Sequence, residues 1–150
     1  MNYKIKVYRH FEKEVKKLSK RYKSLKQDLT ILAAELMQNP DMGTDLGNGL
    51  HKVRMSIASK GKGKRDGARV ITLIATLSKE EKEIGLHFIY DKSERENITD
   101  KELQAVLKDN GIIWKDEPVM PTEAWPVRIS IIIQPPAAPH KYAESLSHFL

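Results

Sequence analysis

The sequence contains no cysteine, which excludes disulfide staples, thiolate zinc sites and thiol nucleophiles together and suits a reducing compartment. Long apolar runs are missing too. The longest strictly hydrophobic stretch is Ile31 to Ala34, far short of the roughly 18 residues a membrane-spanning helix needs. No Gly-Lys pair is followed by Ser or Thr, because Gly61-Lys62 meets Gly63 and Gly63-Lys64 meets Arg65, so there is no Walker-type phosphate loop. The histidines His10, His51, His87, His140 and His148 are scattered without an i, i+4 partner, and neither a metal nor a cofactor is expected. A Gly-x-Ser-x-Gly nucleophile elbow is also absent. The start, Met1-Asn2-Tyr3-Lys4-Ile5-Lys6, enters an alternating pattern at once, without an apolar targeting segment or small-residue cleavage site, which predicts a cytoplasmic protein.

What is present suits one soluble domain: 150 residues, 40% hydrophobic and 31% charged. The net charge of +6 is unevenly distributed. Residues 1–39 and residues 50–70 each carry +6, while the remaining segments are all net negative. Two basic segments could build a polyanion-binding face, although the first equally fits the solvated side of two helices. Composition changes near residue 112: six of the seven prolines and both tryptophans follow it, whereas all eight glycines precede it. The expectation is a compact domain over 1–112 and a proline-containing C-terminal extension, 113–150, of unknown role.

Tyr3, Ile5 and Val7 alternate with lysines as in a half-buried strand. Phe11, Val15, Leu18 and Tyr22, then Leu25, Leu29, Leu32 and Leu36, form two helical stripes. The second begins at a Ser24-x-x-Gln27 capping box and ends at Asn39-Pro40. So tight a connection predicts an antiparallel hairpin. Residues 41–49 read as turn. A strand from Leu50 puts Val53, Met55 and Ile57 on one face and Lys52 and Arg54 on the other. Beyond the loop Ser59 to Gly67, Ala68 to Leu77 reads as a central strand, and Glu83 to Tyr90 as a third with Ile84, Leu86, Phe88 and Tyr90 on one face. Thr99 and Glu102 cap a short helix bearing Leu103, Val106 and Leu107, ended by Asn110-Gly111. The reading is α+β: an N-terminal strand, a two-helix antiparallel hairpin on one face of a small, mainly antiparallel sheet, and a short C-terminal helix, the other sheet face staying open. In the extension, 127–133 has a strand pattern and 142–150 a weak helical one.

The chemistry concentrates in cations: Lys52 and Arg54 on a strand, Lys60, Lys62, Lys64 and Arg65 in the glycine-rich loop, Arg69 opening the next strand, and Lys92 beyond the last. Cations converging on an exposed sheet face could cleave RNA without metal. The 2′-hydroxyl attacks phosphorus, an arginine stabilises the phosphorane charge, and a lysine among cations serves as base or acid. The competing reading pairs Arg69 with Asp66 or Asp91, and Lys92 with Glu94 or Glu96, as ordinary ion pairs. His87 reads as a core histidine.

Several segments resemble one family: Phe11-x-x-x-Val15-x-x-Leu18, Asn39-Pro40 with Gly43, Lys52-Val53-Arg54, the run Gly61 to Ile71, and Ile89-Tyr90-Asp91-Lys92-Ser93-Glu94. Over roughly residues 3–112 the chain is similar to RelE/HigB-type toxins of bacterial type II toxin-antitoxin modules, within the RelE/ParE superfamily. The resemblance implies a RelE-like fold, no cofactor, and metal-independent, ribosome-dependent cleavage of messenger RNA that inhibits translation. Arg69 would stabilise the transition state, Lys52 and Arg54 would flank the scissile phosphate, and Lys92 would be the acid or base. Lys60, Lys62, Lys64 and Arg65 would contact messenger or ribosomal RNA in the A site. A cognate antitoxin is implied. Two alternatives are a ParE-like, gyrase-inhibiting toxin without nuclease activity and an inactive relative that binds RNA or antitoxin. The chain departs from the family at Ser93, where RelE itself often has arginine, and it has no C-terminal catalytic Tyr or His before residue 113.

Overall fold

The architecture comes from a computed structural model of the chain, in which residues 2–114 and 131–133 are described. In chain order it comprises β1 (Asn2–Val7), α1 (Arg9–Arg21), α2 (Leu25–Gln38), β2 (Thr44–Gly47), β3 (Leu50–Met55), a 3-10 turn (Ala58–Lys60), β4 (Ala68–Thr76), β5 (Glu81–Asp91), α3 (Asp100–Asp109), β6 (Ile112–Trp114) and β7 (Ile131–Ile133). Five strands form one sheet in the order β1-β5-β4-β3-β2. β1 runs parallel to β5, and the other pairs are antiparallel. The apolar run of β4 makes it central, as its composition predicts. The α+β expectation therefore holds.

The leucine and valine stripes of α1 and α2 pack on one sheet face. Phe11, Val15, Leu18, Leu25, Leu29, Leu32 and Leu36 meet Ile5, Val7, Val53, Met55, Ile57, Val70, Ile84, Leu86 and Ile89 in one apolar cluster. Since Val53 and Met55 point into it, Leu50, Lys52 and Arg54 point to the opposite face.

That opposite face differs from the expectation. It is not open: α3 lays Leu103, Val106 and Leu107 on Leu50, Ile71, Leu73, Phe88 and Tyr90, forming a second core. Nor do Ile84, Leu86, Phe88 and Tyr90 share a face. The β4–β5 register shifts after Ile71, so Ile71 pairs with Phe88 while Thr72 pairs with Leu86, leaving His87 as the extra residue. Such a bulge reverses side-chain parity, sending Ile84 and Leu86 to the first core and Phe88 and Tyr90 to the second.

His87 itself is fully buried, with its ring stacked 4.0 Å from that of Tyr8. Gly85 makes room for this stack, because a Cβ there would lie 2.8 Å from both rings. Burial, with Lys6 nearby, pushes His87 down to a pKa of about 3, so it is a neutral core histidine.

Two local readings also change. The 41–49 segment contains β2, paired with β3 before the turn at Asn48 and Gly49. The Ser24-Gln27 box does not form: Ser24 Oγ donates to Asp28 and accepts from Ser59 N–H, joining the start of α2 to the 3-10 turn. The Thr99-Glu102 box on α3 does form. Beyond Ile112 a short ribbon pairs β6 with β7, so 131–133 of the strand pattern over 127–133 is extended. The pattern at 142–150 lies outside the described residues.

Candidate functional site

The β3–β4–β5 register aligns Arg54, Arg69 and Tyr90 in one row across the second sheet face, with Lys52, Ile71 and Phe88 in the next. Strand parity gives Arg69 the face of Ile71, and the β3–β4 register sets it opposite Arg54. The close turn feeding it needs Gly67, where a Cβ would come within 2.1 Å of the Met55 carbonyl.

Arg69 is only 6% exposed and forms no ion pair with Asp66 or Asp91. Its guanidinium instead holds the basic loop. Nη1 donates to the carbonyls of Lys64 (3.1 Å) and Ala68 (3.2 Å), and Nη2 to that of Arg65 (2.7 Å). Of five N–H donors this leaves, among the described residues, Nε–H and one Nη2–H without an acceptor, enough for two hydrogen bonds to a phosphate. Burial and the neighbouring Arg54 lower the Arg69 pKa, so an anion arriving there would relieve both penalties.

Tyr90, placed by the sequence on one strand face with Ile84, Leu86 and Phe88, is a candidate that the sequence reading did not single out. Its hydroxyl is buried without a hydrogen-bond partner among the described residues. Burial raises its pKa against the pull of Arg69 and Arg95, keeping the phenol protonated. The available signal was its place two residues before Lys92. Arg95, in the β5–α3 connection, lies over the Phe88 and Tyr90 rings; no periodicity pointed to it.

The other cations divide. Arg54 is exposed without a partner among the described residues. Lys52 Nζ donates to Asn97 (3.1 Å), and Lys92 Nζ to the Glu96 carbonyl (3.3 Å) rather than to a carboxylate. Lys62 and Arg65 are exposed, whereas Lys64 turns toward α2 and pairs with Glu35 at 3.2 Å.

Lys60 does not join them. Its side chain is 9% exposed, and the ammonium pairs with buried Asp91 at 2.8 Å, on the α1 side of the sheet. Asp91 also accepts from Tyr22 Oη (2.5 Å) and from Ser93 Oγ (2.7 Å) and N–H (2.9 Å). Burial alone would raise its pKa, but Lys60, Tyr22 and Ser93 together hold it well below the usual carboxylate range. This hub ties the basic loop to the end of α1.

Among the described residues no three His, Asp or Glu side chains gather as metal ligands, and no helix is long and apolar enough to cross a membrane. A family model described as the RelE toxin of the RelE/RelB toxin-antitoxin system matches residues 4–115.

Proposed function

The chain belongs to the RelE toxin family, and from that premise we propose that it is a ribosome-dependent, metal-independent endoribonuclease that cuts messenger RNA and so inhibits translation. The observation carrying this reading is Arg69, a buried cation without a carboxylate partner among the described residues, in register with exposed Arg54 and with Tyr90, whose hydroxyl likewise lacks a partner among them. Buried charges are normally neutralised by a partner, and here a bound phosphodiester would supply the missing anion.

In the reaction, the ribose 2′-hydroxyl gives its proton to a general base and attacks the adjacent phosphorus. The bond to the 5′-oxygen breaks, leaving a 2′,3′-cyclic phosphate and a 5′-hydroxyl. Arg69 and Arg54 stabilise charge on the equatorial oxygens. Lys92 is the candidate acid or base, and the protonated Tyr90 phenol is a second donor for the departing oxygen. Lys52 flanks the phosphate, while Lys62 and Arg65 reach outward to ribosomal or messenger RNA. Lys64 and Lys60 would join only by leaving Glu35 and Asp91.

Family membership also implies a cognate antitoxin. Exposed Ile31, Ala34 and Met37 recur at i, i+3 and i+6 along α2, an apolar strip suited to an amphipathic antitoxin segment. We assign these activities to residues 1–112, with 113–150 as an extension.

The deciding experiment maps message ends after induction of the wild type, Arg69→Ala and Lys92→Ala, and repeats the assay on programmed ribosomes with chelator. The expected result is chelator-resistant cleavage by wild type, lost in Arg69→Ala. Growth arrest with intact messages and altered supercoiling would instead indicate a gyrase-directed toxin.

A further inference from the structure

Arg95 has no role in the chemistry above, yet its geometry is specific. Its guanidinium carbon lies 5.7 Å from the Phe88 ring centroid and 6.0 Å from that of Tyr90. The two rings are 6.1 Å apart and tilted by 38°. On its edge, Nη1 is held by Glu102 Oε2 at 2.5 Å. The other oxygen of Glu102 accepts from the Thr99 hydroxyl (3.1 Å) and N–H (3.3 Å), within the α3 capping box. The guanidinium is thus fixed from below by aromatic rings and from the side by a carboxylate that is itself fixed. The Arg95 side chain remains 38% exposed, so an incoming flat group can reach it.

We propose that Arg95, backed by Phe88 and Tyr90, is a stacking platform for the nucleobase next to the scissile phosphate. The proposal rests on the RNA-cleavage reading above and adds to it a base subsite. Tyr90 pairs with Arg69 and Arg69 with Arg54, so the platform and the phosphate cations lie one to two strand spacings apart, roughly 5–10 Å. A nucleotide spans a similar distance between its phosphate and its base. Guanidinium planes and aromatic rings both stack on bases exposed from single strands, and every base has a π-face, so the subsite tolerates any base while favouring the larger purines. Lysine cannot substitute, because its ammonium has no plane.

The alternative is that Arg95 merely fastens the β5–α3 connection over the second core. The test uses ribosomes programmed with a message whose A-site codon is 2′-O-methylated, to block cleavage, and carries 2-aminopurine as a stacking reporter. Full-length wild type, Arg95→Lys, Arg95→Gln and Arg95→Tyr are compared for cosedimentation and fluorescence, with thermal melts confirming folding. The wild type is expected to quench the reporter. Arg95→Lys and Arg95→Gln should lose the quench and bind about tenfold more weakly, while Arg95→Tyr recovers it through a neutral ring. Unchanged quenching in Arg95→Lys and Arg95→Gln, with wild-type binding, overturns the platform and leaves the cleavage reading standing. A wild type that neither cosediments nor cuts the unmethylated message removes both.

Discussion

At the residue scale, two changes test how the site handles the phosphate. Arg69→Lys keeps the charge but loses the fork. Because one preorganised donor to the developing charge is worth about 100- to 1,000-fold, cleavage on programmed ribosomes should fall by that order. Tyr90→Phe makes a sharper distinction. Its hydroxyl has no partner among the described residues, so removing it should leave the urea midpoint unchanged or slightly raised. If the phenol protonates the leaving oxygen, the cleavage rate should nevertheless drop by about 100-fold. A variant that loses stability and activity together would return Tyr90 to the core. That residue was legible in sequence as an aromatic on the strand ending near Lys92, but its face depended on a bulge at His87, which alternation alone cannot reveal.

At the scale of elements, Asp91 and His87 decide what acid does to the joints between them. Asp91 binds α1, the basic loop and the β5–α3 connection together. Asp91→Asn leaves the Lys60 ammonium buried without its counter-charge, so a destabilisation of about 3–5 kcal/mol is expected in urea titration. For His87 the folded pKa is depressed to about 3. A group of this kind contributes stability that is fully present above its unfolded value of about 6.5 and is lost as pH falls toward 3. Unfolding free energy should therefore fall by about 1.4 kcal/mol per pH unit below 6.5, and His87→Gln should abolish that slope. Asp91, also depressed, adds its own loss only below about pH 4. Glu102, held down by the Thr99 N–H and Arg95, adds its own loss as pH falls through about 4.5, so the slope between pH 6 and 5 isolates the histidine. Sequence reading placed His87 in the core and Lys92 near the site. It also assigned Lys60 to RNA, and its capture by Asp91 was invisible because the two residues are 31 positions apart.

At the scale of the whole molecule, the charge map becomes a surface. Lys62 and Arg65 are exposed on the loop that Arg69 holds. Replacing both with alanine should weaken RNA binding uniformly across sequences and reduce the salt slope, d log K/d log[salt], by about 1.4, near 0.7 per phosphate contact on a single strand. A slope that does not change would place RNA elsewhere. The sequence by itself determined most of the elements, though not β2 or the cap at the start of α2, since side-chain periodicity, caps and glycine turns are local properties: both hairpin helices, the central apolar strand, the Thr99-Glu102 box and the Lys52-Arg54 face follow from spacing. Only the tertiary structure decided which of the many cations share a site. It also decided that α3 covers the second sheet face and that Arg69 turns its guanidinium to loop carbonyls rather than to a carboxylate of the described residues. The reason is that register, bulges and long-range pairing join residues distant in sequence, and the energy of a charge depends on the partners that folding brings to it.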